Sequence, residues 1–217
     1  MQWRCDCAAP VSGGSIGHLN FPIVTQYQSP NLIRGFSRGS VSLTDDPAWA
    51  GFGSRSVDEY AFWAPRACGP ACLAMVLDHL GRKYRSLQRI VDDCLECGAF
   101  EVSGESVRGL IYAPFASYVQ SVFGLQTKVY SSLDLNDVQD AVGAGQLAIV
   151  SVGKDIRDVE SSQHTRGGHL VLVFGMLKGD VCFRNPSGYG SDTICARLPR
   201  EVFEQSFAHR GVILGAK

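Results

Sequence analysis

The chain has 217 residues, 20 Lys+Arg against 21 Asp+Glu, a formal net charge of −1 and 45% apolar residues. That length supports one substantial core, and the balanced charge supplies no bulk attraction to a phosphate backbone, which argues against a nucleic-acid partner. Apolar stretches such as Leu170–Phe174 fall far short of the roughly 18 residues a membrane span needs. Met1 to Cys7 shows no apolar run after a basic start, so the expectation is a cytoplasmic protein with no membrane contact.

Residues 1–60 are rich in Gly, Ser and Pro, with one short strand-like run at Phe21–Thr25. Turn signals fill Arg34–Ser56, among them Gly35, Gly39, Asp46-Pro47 and Gly51-Phe52-Gly53. A segment that long without periodicity reads as a functional loop or a mobile one. Regular structure is predicted from Cys68. Leu73, Val76, Leu77 and Leu80 follow the spacing of a helix with one buried face, Pro70 sits harmlessly in its first turn, and Gly81 stops it. A second helix is predicted from Ser86 to about Cys97, and a third over Ser103–Phe123, broken near Pro114 and closed by Gly124.

The period then changes. Gln126–Tyr130 reads as a strand, Leu135–Val142 as a helix and Gln146–Val152 as a buried strand. His169–Met176 and Asp180–Arg184 flank Leu177-Lys178-Gly179 as a hairpin. Thr193–Arg197, a short helix at Arg200–Phe207 and Gly211–Leu214 complete the sheet. Helices first and antiparallel strands after is the pattern of a segregated α+β fold. One domain over residues 1–217 is expected, with an irregular segment at 1–60.

Eight cysteines stand at positions 5, 7, 68, 72, 94, 97, 182 and 195. A cytosolic chain keeps thiols reduced, so a disulfide framework is not expected. Cys5-x-Cys7 with Cys94-x-x-Cys97 invites a zinc site, but the second pair ends a helical run instead of forming a knuckle in a turn. Buried apolar cysteines are the simpler reading, and neither metal nor cofactor is expected.

The candidate chemistry lies elsewhere. Cys68, in Cys68-Gly69-Pro70-Ala71-Cys72, opens a helix, where unpaired amides favour a thiolate and can receive an oxyanion near Gly69. A thiol nucleophile needs a base. His169 follows Gly167-Gly168 and starts a strand, and Asn185-Pro186 ends the strand paired with it, which puts an amide within reach of the imidazole.

These three motifs together resemble the papain-like peptidases of the bacteriocin-processing type, which cut leader peptides after a double glycine, and their stand-alone relatives. The resembling residues are Cys68–Leu77, Gly168–Val173 and Asn185-Pro186-Ser187-Gly188, covering about residues 60 to 214. The resemblance implies a papain-like fold with N-terminal helices on a C-terminal antiparallel sheet, a peptide or precursor-peptide substrate, Cys68 as nucleophile, His169 as base and acid, and Asn185 as orienter. Most relatives carry Asp at the position of Asn185. Many also place a Gln shortly before the nucleophile to complete the oxyanion hole, whereas Tyr60–Ala67 contains none. Gln26, before Tyr27, is the nearest counterpart, which implies an insertion at about residues 30–60. Gln26 is then expected close to Cys68. Two other functions share these residues: acyl transfer to an amine, and a non-catalytic peptide-docking domain.

Overall fold

The computed structural model describes residues 21–157 and 164–215. The helices α1 (Ile33–Arg38), α2 (Val57–Trp63), α3 (Cys68–His79) and α4 (Leu87–Glu96) come first. A small hairpin of β1 (Glu101–Ser103) and β2 (Ser106–Arg108) leads into α5 (Tyr112–Phe123). Then follow β3 (Gln126–Tyr130), α6 (Leu135–Gly143), β4 (Leu147–Gly153), β5 (Gly168–Leu177), β6 (Asp180–Arg184), α7 (Ser191–Ile194), β7 (Cys195–Pro199), α8 (Arg200–Ser206) and β8 (Phe207–Gly215). The six long strands form one antiparallel sheet in the order β3-β8-β4-β5-β6-β7.

Strand alternation divides the core between the two faces of this sheet. Leu147 and Ile149 of β4, Leu170, Leu172 and Phe174 of β5, and Val212 and Leu214 of β8 join α3, α4 and α5 in one cluster. The intervening Ala148, Val150, Val171, Val173, Phe183 and Ile213 pack with α6 and with Phe203 of α8 in the other. A period of two along each strand therefore buries both faces. The α+β expectation holds, and the second face is covered by helices inserted among the strands.

Helix α3 runs closer to the core than its sequence pattern suggests. All nine residues from Gly69 to Leu77 are buried, so it has no solvent face over that stretch. Its N-cap, Ala67, offers no side-chain hydrogen bond. Burying Leu73, Met75, Val76 and Leu77 contributes about 1.5–3 kcal/mol each, against about 1 kcal/mol for a missing cap. Packing decides where this helix lies, and its first-turn amides stay uncommitted to any capping side chain. By contrast α2 and α4 are capped by Ser56 and Ser86, which accept from the amides of Glu59 and Arg89.

Residues 30–56 are ordered around one buried carboxylate. Asp46, 1% exposed, accepts from the Tyr60 hydroxyl, from Ser29 Oγ at 2.6 Å, and from the amides of Ser29 and Ala48 at 3.3 and 2.9 Å. Ile33, Phe52 and Tyr60 are fully buried around it. The segment is built from short helical turns and is anchored through Ile33, Phe36, Asp46 and Phe52, its buried residues.

Three further expectations change. Residues 21–25 form no strand, and Phe21 instead stacks between His79 and Phe174, with ring centroids 4.4 and 5.0 Å away. The helix expected over Ser103–Phe123 starts only at Tyr112, because Gly104, at φ +59°, turns the preceding residues into the β1–β2 hairpin. Pro114 sits in the first turn of α5, and Gly124, at φ +63°, ends it as expected. The strand expected at Thr193–Arg197 is the helical turn α7 followed by β7.

Among the described residues Cys68, Cys72, Cys94 and Cys97 are free thiols, and Cys195 is disulfide-bonded, contrary to the expectation of reduced thiols throughout. Cys5 and Cys7, half of the discarded zinc reading, lie outside the described residues. Among the described residues no group of three or more His, Cys, Asp or Glu is placed to hold a metal ion. No helix is long and apolar enough to cross a membrane among the described residues.

Candidate active site

Cys68 is the first residue of α3 and His169 the second of β5, and both line one cleft of about 630 Å³. The two elements meet at Gly69. A Cβ there would come within 2.8 Å of Leu110 Cδ2 and 3.2 Å of Leu170 Cδ1, so glycine lets β5 and the 109–111 segment close on the start of α3. What approaches Gly69 is therefore side chain, while backbone hydrogen bonds at Leu170 and Gly69 reach the Cys68 thiol. Gly167 and Gly168, at φ +89° and +87°, form the left-handed turn that feeds His169 into the strand.

The β5–β6 ladder ends at Leu172 opposite Arg184. His169 and Asn185 leave it at the same end, and His169 Nε2 lies 2.8 Å from Asn185 Oδ1. An amide oxygen only accepts, so Nε2 carries the proton and Nδ1 is left as the basic nitrogen of a neutral ring. The same Asn185 oxygen accepts from the Ser187 amide at 3.0 Å and the Ser187 hydroxyl at 3.3 Å, while Asn185 Nδ2 is buried without a partner. Ser187 Oγ also lies 3.1 Å from His169 Nε2 and accepts from Arg157 Nε at 2.7 Å.

Electrostatics set the resting state. Burial, then Arg157 and Lys154, push the His169 pKa down to about 3, opposed only by the Asn185 hydrogen bond. Burial also raises the Cys68 thiol, and this outweighs the backbone hydrogen bonds and Arg157, which favour the thiolate. The thiolate expected at a helix N-terminus is thus not the resting form: desolvation exceeds the helix-end effect, which is typically below about 1 kcal/mol. The Cys68 thiol and the His169 imidazole, which line the same cleft, are each held toward the neutral form by burial. Cys72, one turn on, is buried deeper, its thiol is raised well above the usual range, and its Sγ lies 3.7 Å from the Leu170 carbonyl oxygen.

Gln26 is fully buried. Its Nε2 donates to the Ala64 carbonyl at 2.8 Å, and its backbone amide donates to the Pro186 carbonyl at 2.8 Å. These bonds tie it between the turn that leads into Cys68 and the turn that holds Asn185. Gln26 Oε1 has no partner. Ser187, Arg157 and Lys154 received no role from sequence reasoning. The Asn-Pro-Ser-Gly tetrapeptide was a signal for this turn, since an Asn side chain commonly accepts from the backbone amide two residues on, here that of Ser187. Arg157 and Lys154 carried no comparable signal.

A model of the Peptidase_C39 like family matches residues 19–212. The chain belongs to that family. Among solved structures, a putative C39-like peptidase from Bacillus anthracis is similar over 70% of this chain and 90% of its own, at 16% identity and a TM-score of 0.51. The peptidase domain of Streptococcus ComA, a bifunctional ABC transporter involved in a quorum-sensing pathway, is similar over 70% and 93% at 19% identity and a TM-score of 0.46. No curated protein matches. The C39-like architecture, with α3 packed against the antiparallel sheet, is the papain-like α+β fold that the three motifs implied.

Proposed function

We propose that the chain is a cysteine peptidase that cleaves a peptide amide bond through a thioester, with Cys68 as nucleophile, His169 as base and then acid, and Asn185 as the orienting group. The hydrogen bond of 2.8 Å from His169 to the buried Asn185, with His169 and Cys68 lining one cleft, carries this reading. Because the resting pair is neutral, attack and proton transfer are coupled: His169 Nδ1 takes the thiol proton as Sγ bonds to the carbonyl carbon. The oxyanion draws on the uncapped first-turn amides of α3 and on a donor from Gln26. The imidazolium then protonates the leaving amine as the C–N bond breaks. Water, deprotonated by His169, hydrolyses the thioester and releases the acid product. Family membership supports a peptide substrate, and removal of a leader from a precursor peptide is the role that the resembling motifs suggest.

The test is digestion of a proteome-derived peptide library in ¹⁸O-water, with and without an added primary amine. New carboxyl termini carrying ¹⁸O, absent with Cys68→Ala, support hydrolysis. Amide-capped termini would indicate acyl transfer. No cleavage, or equal cleavage by Cys68→Ala, would refute the proposal.

A further inference from the structure

The charge of the cleft is one-sided. Arg66, Arg108, Lys154 and Arg210 line it beside Cys68 and His169, and none of its lining residues is Asp or Glu. The cations stand on both banks. Arg66 lies two residues before Cys68, and Arg108 ends the neighbouring hairpin. Lys154 and Arg210 flank the glycine turn before His169: a Cβ on Gly167 would meet Arg210 Nη2 at 2.7 Å, and one on Gly168 would meet Lys154 Cε at 3.7 Å.

Little carboxylate offsets them among the described residues. Arg66 donates to the Phe62 and Glu105 carbonyls and lies over the Phe62 ring, contacts that leave its charge uncompensated. Arg108 reaches Glu101 at 3.2 Å, but both side chains are exposed, so screening weakens that pair. Asp155, next to Lys154, turns instead to Thr165 at 2.5 Å, to Ser206 at 3.1 Å and to His164 at 3.4 Å. Tyr112, a phenol kept neutral by burial, lines the cleft with Arg210 and brings no charge to offset it. With the whole chain at a net charge of −1, a cleft bearing four cations is a local concentration of charge, and a concave wall focuses such a field on whatever enters.

We propose that this cleft selects peptides bearing Asp or Glu on both sides of the bond presented to Cys68. The inference rests on the peptidase reading and names its substrate class. A basic peptide meets four like charges and is rejected, which makes the selection as much exclusion as attraction. An exposed ion pair changes affinity by a factor of roughly 1.5 to 5, so two contacts, one on each bank, predict a preference of about tenfold over a neutral isostere.

Retention and cleavage are measured separately. Immobilised Cys68→Ala protein is exposed to a chymotryptic peptide library at low salt, and the retained peptides are sequenced. Enrichment in Asp and Glu over the input is expected. It should fall in raised salt and reverse toward Lys and Arg in a Lys154→Glu/Arg210→Glu variant whose circular dichroism is unchanged. Single Lys154→Glu covers the case in which the double variant does not fold, since Lys154 is exposed and bonds no described partner. Retained peptides with the input's acid content, no retention, or enrichment indifferent to the charge reversals would overturn the proposal. A single-stranded oligonucleotide held as tightly as the acidic peptides would also overturn it. Library cleavage by the wild-type protein without acid preference sinks this inference and leaves the peptidase reading. Acid-selective retention with no cleavage sinks the peptidase reading.

Discussion

Replacing Asn185 with Ala removes one oxygen that collects three donors: His169 Nε2 at 2.8 Å, the Ser187 amide at 3.0 Å and the Ser187 hydroxyl at 3.3 Å. The bond to Nε2 gains strength when His169 becomes an imidazolium, and hydrogen bonds to charged groups contribute about 1.5–3 kcal/mol. At 1.36 kcal/mol per factor of ten, that is a loss of roughly 10- to 150-fold in kcat. Ser187 Oγ, 3.1 Å from the same nitrogen, remains as a second acceptor, so Asn185→Ala should fall at the low end, near tenfold. Ser187→Ala alone should cost little, because Asn185 keeps the ring in place. The double variant should lose on the order of 100-fold, more than the product of the two single effects, since each residue covers for the other. The assay is kcat and KM on a library peptide that the wild type cleaves, well below the melting temperature. The stability margin matters because the unpaired Ser187 amide costs about 1–3 kcal/mol. An unchanged kcat with a raised KM in the double variant would refute the orienting role, as would strictly multiplicative effects.

Asn185→Asp should retain activity and raise the pKa of His169, because a carboxylate accepts the same donors while its charge favours the imidazolium; inactivity as deep as that of Asn185→Ala would contradict this. His169 also ties stability to pH. It stays neutral in the fold to about pH 3, while its unfolded value is 6.5. Between these values the unfolded chain binds a proton that the fold does not, so this contribution is full above pH 6.5 and fades as pH falls toward 3. The slope is about 1.4 kcal/mol per pH unit, and urea midpoints at pH 4, 5 and 6 should show it flattened in His169→Gln. The Cys68 thiol, raised by burial, should alkylate with iodoacetamide at a rate that climbs through pH 9, and a plateau already at pH 5–6 would mean a resting ion pair. Gln26→Ala should lower turnover by roughly 100- to 1,000-fold if Gln26 is an oxyanion donor, with alkylation of Cys68 unchanged; equal turnover would remove it from the site.

Period and punctuation determined much of this protein from sequence alone. The apolar runs of β4 and β5, the glycine stops after α3 and α5, and the Cys–His–Asn order along the chain are local or pairwise signals; α3, α4, α6, β4 and β5 formed close to where their residues placed them, whereas α5 began only at Tyr112. The hairpin between β5 and β6 was legible too, and with it the meeting of His169 and Asn185. Residues 30–56 were not, because their order comes from Asp46 gathering Ser29, Ala48 and Tyr60, a set of hydrogen bonds with no periodicity to read. Nor was the ionisation state of the site. A cysteine at a helix start implies a thiolate only while water or a nearby charge supports it, and the depth at which α3 lies against the sheet removes that support. The place of Gln26 was likewise decided by tertiary contacts, one bond to Ala64 and one to Pro186, across 38 and 160 residues of chain. Sequence spacing carries what neighbours along the chain impose; burial and the convergence of distant segments belong to the folded core.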